Sequence, residues 1–431
     1  MQALPAMQPY IDIPVRTVPF DADVTLPGSK SYTNRALLIA AMAEGRSVLR
    51  QALFSDDTYY MCDALRRLGI AVHADEATGT FTVEGQGGSF PATQAELFVG
   101  NAGTAARFLT AYLGLGHGTF RLDGVPRMRQ RPIQPLLAGL RDLGVDARSE
   151  LGTGCPPVIV RADGLPGGRT RMPGDQSSQF FSALLLVGPC TDHGIEIEVL
   201  GDLVSKPYID LTADSMRAFG ATMQRDGFAF FRVSGRQRYR GRVYDVEPDA
   251  SNASYFFAAA ALVGGRIRVR HLTAASAQGD IRLLDVLEAM GARIVRGPDY
   301  VEVQGTGELG GIEVDMSDMS DVAQTLAAIA PFARAPVHIR NVAHMRYKET
   351  DRLAALATEL QKLGAQVREL PDGLSIFPSK LHGGEVATYD DHRMAMSFAL
   401  VGLRVPGVRI LNPGCVAKTF PDFFERFLGL P

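Results

Sequence analysis

SKSYTNRALLIAAMA, residues 29–43, opens with residues that cap helices and continues as a run that is apolar nearly all round. A helix of that composition is buried rather than amphipathic, and its first N–H groups need an acceptor. Five further stretches have the same form: NAGTAARFLTAYLGL (101–115), DQSSQFFSALLLV (175–187), DASNASYFFAAAALV (249–263), MSDVAQTLAAIA (319–330) and DDHRMAMSFALVGL (390–403). Marked at Asn34, Thr104, Ser178, Asn252, Asp321 and His392, they recur about every seventy residues. Between them runs a second series, LRRLGIAV, LRDLGVDA, MRAFGATM, LEAMGARI and LQKLGAQV, whose glycines are Gly69, Gly144, Gly220, Gly291 and Gly364. Each reads as an amphipathic helix ended by a left-handed glycine, followed by strands such as FTVEG, FFRVSG or YVEVQG. Six equivalent α/β units divide most simply into two lobes of three. If the N-termini of the two sets of buried helices face one another, their dipoles converge on an anion site.

A chain of 431 residues exceeds the usual size of one core, which agrees with two lobes. The break is expected near DVEPDAS, residues 245–251, giving an N-terminal lobe over 25–247 and a C-terminal lobe made of 1–24 plus 248–431, joined by a two-strand hinge. The β character of YIDIPVRTV, residues 10–18, suits a strand in the C-terminal lobe. Lys and Arg number 44 against 47 Asp and Glu, a formal charge of −3, so nothing draws the whole molecule to nucleic acid or to an anionic membrane. Cys62, Cys155, Cys190 and Cys415 lack C-x-x-C spacing, and the histidines lack metal-ligand spacing. No cofactor and no metal are expected, and reduced thiols fit a cytoplasmic protein. There is no signal peptide pattern and no apolar run of bilayer length.

Local cation clusters stand out against that neutral background. LPGSKSYTNR places Lys30, Ser31 and Arg35 around a helix start, although Ser29 precedes the lysine where a Walker A loop needs glycine. In GNAGTAARF, Gly100 and Gly103 allow close approach of a ligand, and VPRMRQRP sets Arg127, Arg129 and Arg131 on an apparently irregular loop. QSSQF supplies Ser177, Ser178 and Gln179 as neutral donors, followed by Ser205 and Tyr208 in LVSKPYID. RYKETDRLAAL, read as one helix, puts Lys348 and Arg352 on a common face with Glu349 in reach of Arg352. YDDHRMAM carries Arg393 and CVAKTFPDFF carries Lys418. Asp321 is a carboxylate where the helix dipole favours a bound anion, so it is either a plain N-cap or a general base.

LPGSKSYTNRALL, GNAGTAARF, SSQF, SKPYID, YKETDR, DDHRMAM and AKTFPD, in that order from about residue 25 to the C-terminus, resemble the 5-enolpyruvylshikimate-3-phosphate synthase family of enolpyruvyl transferases. The resemblance implies an inverse α/β prism, each lobe built of three βαβαββ units with buried parallel helices and outer sheets. It implies transfer of the enolpyruvyl group of phosphoenolpyruvate to the 5-hydroxyl of 3-phosphoshikimate, with glyphosate as an expected inhibitor. By motif, Lys30, Ser31, Arg35, Ser177, Ser178, Gln179, Ser205, Tyr208, Asp321, His344 and Lys348 would contact 3-phosphoshikimate. Lys30, Gly103, Arg127, Gln179, Arg352, Arg393 and Lys418 would surround phosphoenolpyruvate. Asp321, Glu349 and Lys30 would be catalytic, Asp321 as proton acceptor and Glu349 as the acid. Two phosphates and two carboxylates carry roughly −5 to −6, which the seven cations among these residues can offset. Three positions depart from the family pattern: His344 stands where Asn is familiar, Phe108 where Pro is, which is expected to shift that helix and weaken glyphosate inhibition, and Asn252 where Ser is. A reactive cysteine in the loop equivalent to PRMRQRP would point to the sister enzyme acting on UDP-N-acetylglucosamine, and a sensor on the same scaffold would lack Asp321 or Glu349. Neither pattern is present. A monomer with no nucleic-acid or membrane partner is expected.

Overall fold

In the computed structural model, which describes residues 8–431, all five junction glycines are left-handed, with φ between +90° and +109° at Gly69, Gly144, Gly220, Gly291 and Gly364. A side chain at these positions would strain the backbone, which is why glycine ends each of these helices. The helices they end are Asp56–Arg67, Gln134–Asp142, Pro207–Ala218, Leu283–Ala289 and Arg352–Lys362. A hairpin follows each of them, so the second-series reading holds.

The buried series also forms as helices: Lys30–Met42, Gly103–Leu113, Ser178–Val187, Ala250–Val263, Ala323–Ile329 and His392–Gly402. Gly103–Leu113, Ala323–Ile329 and His392–Gly402 have no exposed or half-buried residue, and the other three have one half-buried residue each. Leu184, Leu185 and Leu186 are each fully enclosed, and each contributes roughly 1.5–3 kcal/mol of burial.

One complete unit shows the repeat. Gln94–Phe98 leads through a buried helix to His117–Asp123, a second helix follows, and Asp146–Ser149 with Val158–Asp163 forms the hairpin. The first two strands pair in parallel and the second pairs antiparallel with the fourth. The described residues contain five four-stranded sheets and one three-stranded sheet. Each unit interleaves two helices with strands paired both in parallel and antiparallel, the α/β class that the repeats imply.

The chain divides into two compact units, Pro27–Glu247 and the residues up to Leu26 together with Pro248–Pro431. Three strands come to their sheets from far along the chain. Val243–Asp245 pairs in parallel with Glu44–Arg50, Phe20–Val24 pairs in parallel with Gly265–Arg270, and Tyr10–Asp12 pairs antiparallel with Val408–Leu411. The early segment is therefore two strands rather than one. Pro14 and Pro19 lie between them, where the missing N–H cannot join a ladder.

The sheet containing Gly265–Arg270 carries an ion network on one face. Glu302, almost fully enclosed, accepts from Arg266 at 3.3 Å and Arg268 at 2.8 Å, and Arg266 also reaches Asp23 at 2.7 Å. Burial pushes the Glu302 carboxyl up, but hydrogen bonds from Gln304, Arg268 and Arg266 outweigh it and hold the group below the usual range. A depressed folded pKa means that the stabilisation exists above the unfolded carboxyl's titration near 4 and is lost as pH falls through the folded value. Glu302→Gln is expected to lower stability at pH 7 by about 1–3 kcal/mol. Denaturant unfolding at pH 7 and pH 3 checks this, because the difference from the parent protein should shrink in acid.

Candidate active site

Asp321 precedes the helix Ala323–Ile329 without capping it, since the N-cap residue is Val322 and no side chain caps that end. Its carboxylate instead meets three cations. Lys348 Nζ donates to Oδ1 at 2.5 Å, Arg352 Nη1 to Oδ1 at 3.2 Å, and Arg393 Nη2 to Oδ2 at 2.8 Å. Of the two readings of Asp321, the plain cap falls. Three cations favour the charged carboxylate, the form that can accept a proton.

Arg352 is the hub of this cluster. It is 1% exposed, and it also donates to Glu349 at 2.8 Å and to Asp391 at 2.7 Å and 3.2 Å. Burial alone would lower its pKa, but Asp391, Glu349 and Asp321 raise it above the ordinary arginine value. Asp391 caps the helix His392–Gly402 by accepting from the Arg393 N–H, and so ties Arg352 to the element that carries Arg393. The Lys348 ammonium is pulled down by burial and supported by Asp321. His344 Nε2 lies 2.9 Å from Ser320 Oγ, and burial, reinforced by Lys348, pushes the imidazole down to about 3. Lys418 is buried at the end of the short helix Pro413–Lys418, and the carbonyl of the next residue, Thr419, accepts from Asn252 Nδ2.

The unit Pro27–Glu247 holds the other candidates. Ser29 caps the helix that Lys30 begins, and Lys30 lies 3.7 Å from Asp57. Arg35, in the second turn, is 1% exposed, and its partners are neutral: Thr212 Oγ1 at 2.9 Å, Ser31 O at 3.0 Å, Tyr208 O at 3.0 Å and Ser182 Oγ at 3.4 Å. Without a carboxylate among these partners, desolvation lowers the guanidinium to about 10. Ser177 caps the helix Ser178–Val187 by accepting from Gln179 N, and Gln179 Nε2 donates to Thr104, next to Gly103, at 3.3 Å. Ser205 is left-handed, with φ of 56°, just before the helix whose first turn carries Tyr208. The structure thus joins Ser31, Arg35 and Tyr208 in one network, brings Gln179 to the start of the Gly103 helix, and leaves Arg127 half-buried with Gln130 as a 3.2 Å partner.

The profile of the EPSP synthase (3-phosphoshikimate 1-carboxyvinyltransferase) family matches residues 15–427. The chain belongs to the EPSP synthase family. The 3-phosphoshikimate 1-carboxyvinyltransferase of Trichormus variabilis is 51% identical over 97% of this chain and 99% of its own, and that of Serratia proteamaculans is 49% identical over 94% of each. Among solved structures, the EPSP synthase of Acinetobacter baumannii has a TM-score of 0.80 at 26% identity over 98% of each chain. The enolpyruvyl transferase NikO of Streptomyces tendae, at 22% identity and a TM-score of 0.76 over 99% and 98%, shares the fold. The fold is therefore that of the EPSP synthases, the inverse α/β prism.

Two local readings need correction. RYKETDRLAAL is not one helix: Asp351 caps a helix that starts at Arg352, accepting from Ala354 N, so Lys348 and Glu349 lie in the turn before it. The Glu349–Arg352 contact survives because the turn folds back on the first helical residue. PRMRQRP contains a 3₁₀ turn, Met128–Gln130, and its arginines are not equivalent. Arg129 pairs with Asp123 at 2.7 Å and 2.9 Å, whereas Arg131, 5% exposed, holds the Asn101 carbonyl at 2.8 Å. Phe108 leaves its helix intact and sets its ring 5.2 Å from the Arg35 guanidinium. Nor is every cation surplus, since Lys348, Arg352 and Arg393 already share Asp321, and Arg352 also holds Glu349 and Asp391.

Ser320, Asp391, Arg131 and Arg107 carry structure at the site without having been assigned a role from the sequence. Arg107 donates to Gly103 O at 3.2 Å and Pro132 O at 2.8 Å, bracing the arginine loop against its helix. Its place four residues after Gly103 was the available signal. No group of His, Cys, Asp and Glu suited to a metal occurs among the described residues, and no helix among them is long and apolar enough to cross a membrane. Asp391→Asn removes a fully enclosed negative charge from Arg352, and an equilibrium urea titration should show a loss of about 3–5 kcal/mol.

Proposed function

We propose that this chain transfers the 1-carboxyvinyl (enolpyruvyl) group of phosphoenolpyruvate to the 5-hydroxyl of 3-phosphoshikimate and releases inorganic phosphate. The observation that carries the reading is the Asp321 carboxylate, met by Lys348, Arg352 and Arg393, with Glu349 on the other terminal nitrogen of Arg352. A base and an acid linked by one guanidinium suit a reaction that takes a proton from an alcohol and gives one to carbon.

The atoms balance as follows. Glu349 protonates the methylene carbon of phosphoenolpyruvate, making the adjacent carbon electrophilic. The 5-hydroxyl oxygen bonds to that carbon while Asp321 accepts its proton, giving a tetrahedral ketal phosphate. The C–O bond to phosphate then breaks, the Glu349 carboxylate takes back one methyl proton to restore the enol ether, and inorganic phosphate leaves with the proton held by Asp321. Arg352 and Arg393 stabilise the charge that develops on the oxygens of the leaving phosphate. Ser177, Ser178 and Ser205 with Lys348 take the 3-phosphate, Ser31, Arg35 and Tyr208 take other parts of 3-phosphoshikimate, and Gln179 and Lys30 touch both substrates. Gly103, Arg127, Arg352, Arg393 and Lys418 take phosphoenolpyruvate.

The sister reaction with UDP-N-acetylglucosamine is disfavoured by the thiols. Burial pushes Cys62, Cys190 and Cys415 up to about 12 and raises Cys155, so all four are held away from the reactive thiolate. Glyphosate, an anion of similar size to phosphoenolpyruvate, competes with it, and the enzyme works as a cytoplasmic monomer. Phosphate release measured with 3-phosphoshikimate and then with UDP-N-acetylglucosamine tests the acceptor, and turnover with the second alone would overturn the reading. Inhibition kinetics and sedimentation test glyphosate and the monomer.

Asp321→Ala should abolish detectable turnover while calorimetry still registers 3-phosphoshikimate binding; near-normal turnover would remove Asp321 from the role of base. Gly103→Ala would set a methyl carbon 2.3 Å from Arg131 Nη2, and Arg131 is held by Asn101. Steady-state kinetics should show KM for phosphoenolpyruvate raised about tenfold or more, the equivalent of one lost charge-assisted contact.

A further inference from the structure

Ser320 stands beside the base yet has no part in capping, because the helix beyond it starts from Val322 with no side-chain cap. Ser320 is 1% exposed, and its hydroxyl has two side-chain partners, His344 Nε2 at 2.9 Å and Lys348 Nζ at 2.9 Å. Both partners come from one short stretch, the 3₁₀ helix Ala343–Tyr347 and the residue after it. The two side chains therefore clasp one hydroxyl from the same backbone segment. We propose that Ser320 and His344 are positioning residues for the Lys348–Asp321 pair, the imidazole orienting the Ser320 hydroxyl and the hydroxyl fixing the ammonium against the carboxylate.

The hydrogen-bond inventory gives this chain a direction. Lys348 can only donate, so Ser320 Oγ accepts from it, and the Ser320 O–H then donates to Nε2 of an imidazole protonated at Nδ1. That arrangement requires a neutral ring, and burial keeps His344 neutral with a pKa near 3. A charged ring would turn Nε2 into a donor and place another cation beside Lys348. Two N–H bonds of the ammonium are directed at consecutive residues, Ser320 and Asp321. Its rotation is thereby set, and so is the direction of its third N–H. A histidine at the position where Asn is familiar in the family thus acts through Ser320, which the wider reach of the imidazole permits.

The proposal rests on the assignment of Asp321 as base, so the test includes Asp321→Asn. Steady-state kinetics on the full chain compare Ser320→Ala, His344→Leu, their combination and His344→Gln, whose amide presents a polar atom near the place of Nε2. Ser320→Ala and His344→Leu should each lower kcat about tenfold while KM for phosphoenolpyruvate stays within about twofold. The double variant should be no worse than the poorer single, because both break one chain, and His344→Gln should recover most of the loss. Ser320→Ala removes only one oxygen, so it keeps the test open if His344→Leu fails to fold. Unchanged kcat in Ser320→Ala, or losses that multiply in the double variant, would overturn the positioning role. If Asp321→Asn turns over normally, the base assignment fails instead.

Discussion

A carboxylate shared by two buried arginines and a lysine is costly to bring out of water, and it persists only where every remaining charge is also met. In this protein the requirement spreads outward from Asp321. Arg352 has enough donors for Asp321, Glu349 and Asp391 together, and Asp391 in turn caps the helix that carries Arg393. Lys348 is held through Ser320. The helices Ala323–Ile329, Arg352–Lys362 and His392–Gly402 thus meet at their N-terminal ends through ion pairs, with apolar bodies filling the core behind. A lost partner leaves a buried charge with no solvent to meet it, so each of these contacts depends on the others.

The other unit solves the same problem with neutral groups. Arg35 is enclosed by hydroxyls and carbonyls and by the Phe108 ring, so its positive charge stays uncancelled by any neighbouring carboxylate among those partners. One unit therefore holds a cluster of paired charges, and the other a guanidinium met by neutral partners. Ser29 and Ser177 cap two of the three buried helices of one unit, and Asp249 and Asp391 two of the three of the other.

Much of this was legible in the sequence because it is written locally. A glycine forced into a left-handed C-cap, as at Gly144, needs no distant partner to be recognised, and an apolar run such as FFSALLLV announces its own burial. Asp321 could be singled out as a charge in an unexpected place. What escaped was pairing across the chain. That Arg129 is neutralised by Asp123 while Arg131 turns inward to Asn101 depends on how the loop folds against a helix thirty residues earlier. Lys348 and Glu349 were read onto a helix because helical periodicity continues through RYKETDR, but Asp351 makes a better cap than the preceding residues and starts the helix later. Ser320 carries no sequence signal, since its two side-chain partners, His344 and Lys348, lie twenty-four and twenty-eight residues on.

The strands that reach their sheets from far along the chain bear on how the molecule is made. Val243–Asp245 completes the first sheet of the unit Pro27–Glu247 only when that unit's last residues have been synthesised, and by then all of its partners exist. Phe20–Val24 and Tyr10–Asp12, made first, must wait for Gly265–Arg270 and Val408–Leu411. During translation the earliest strands are thus unpaired edges, while a complete neighbouring unit folds between them and their destination. Such long-range pairing is slow to form. The order of folding on the ribosome is thereby the reverse of the order in which the two units begin.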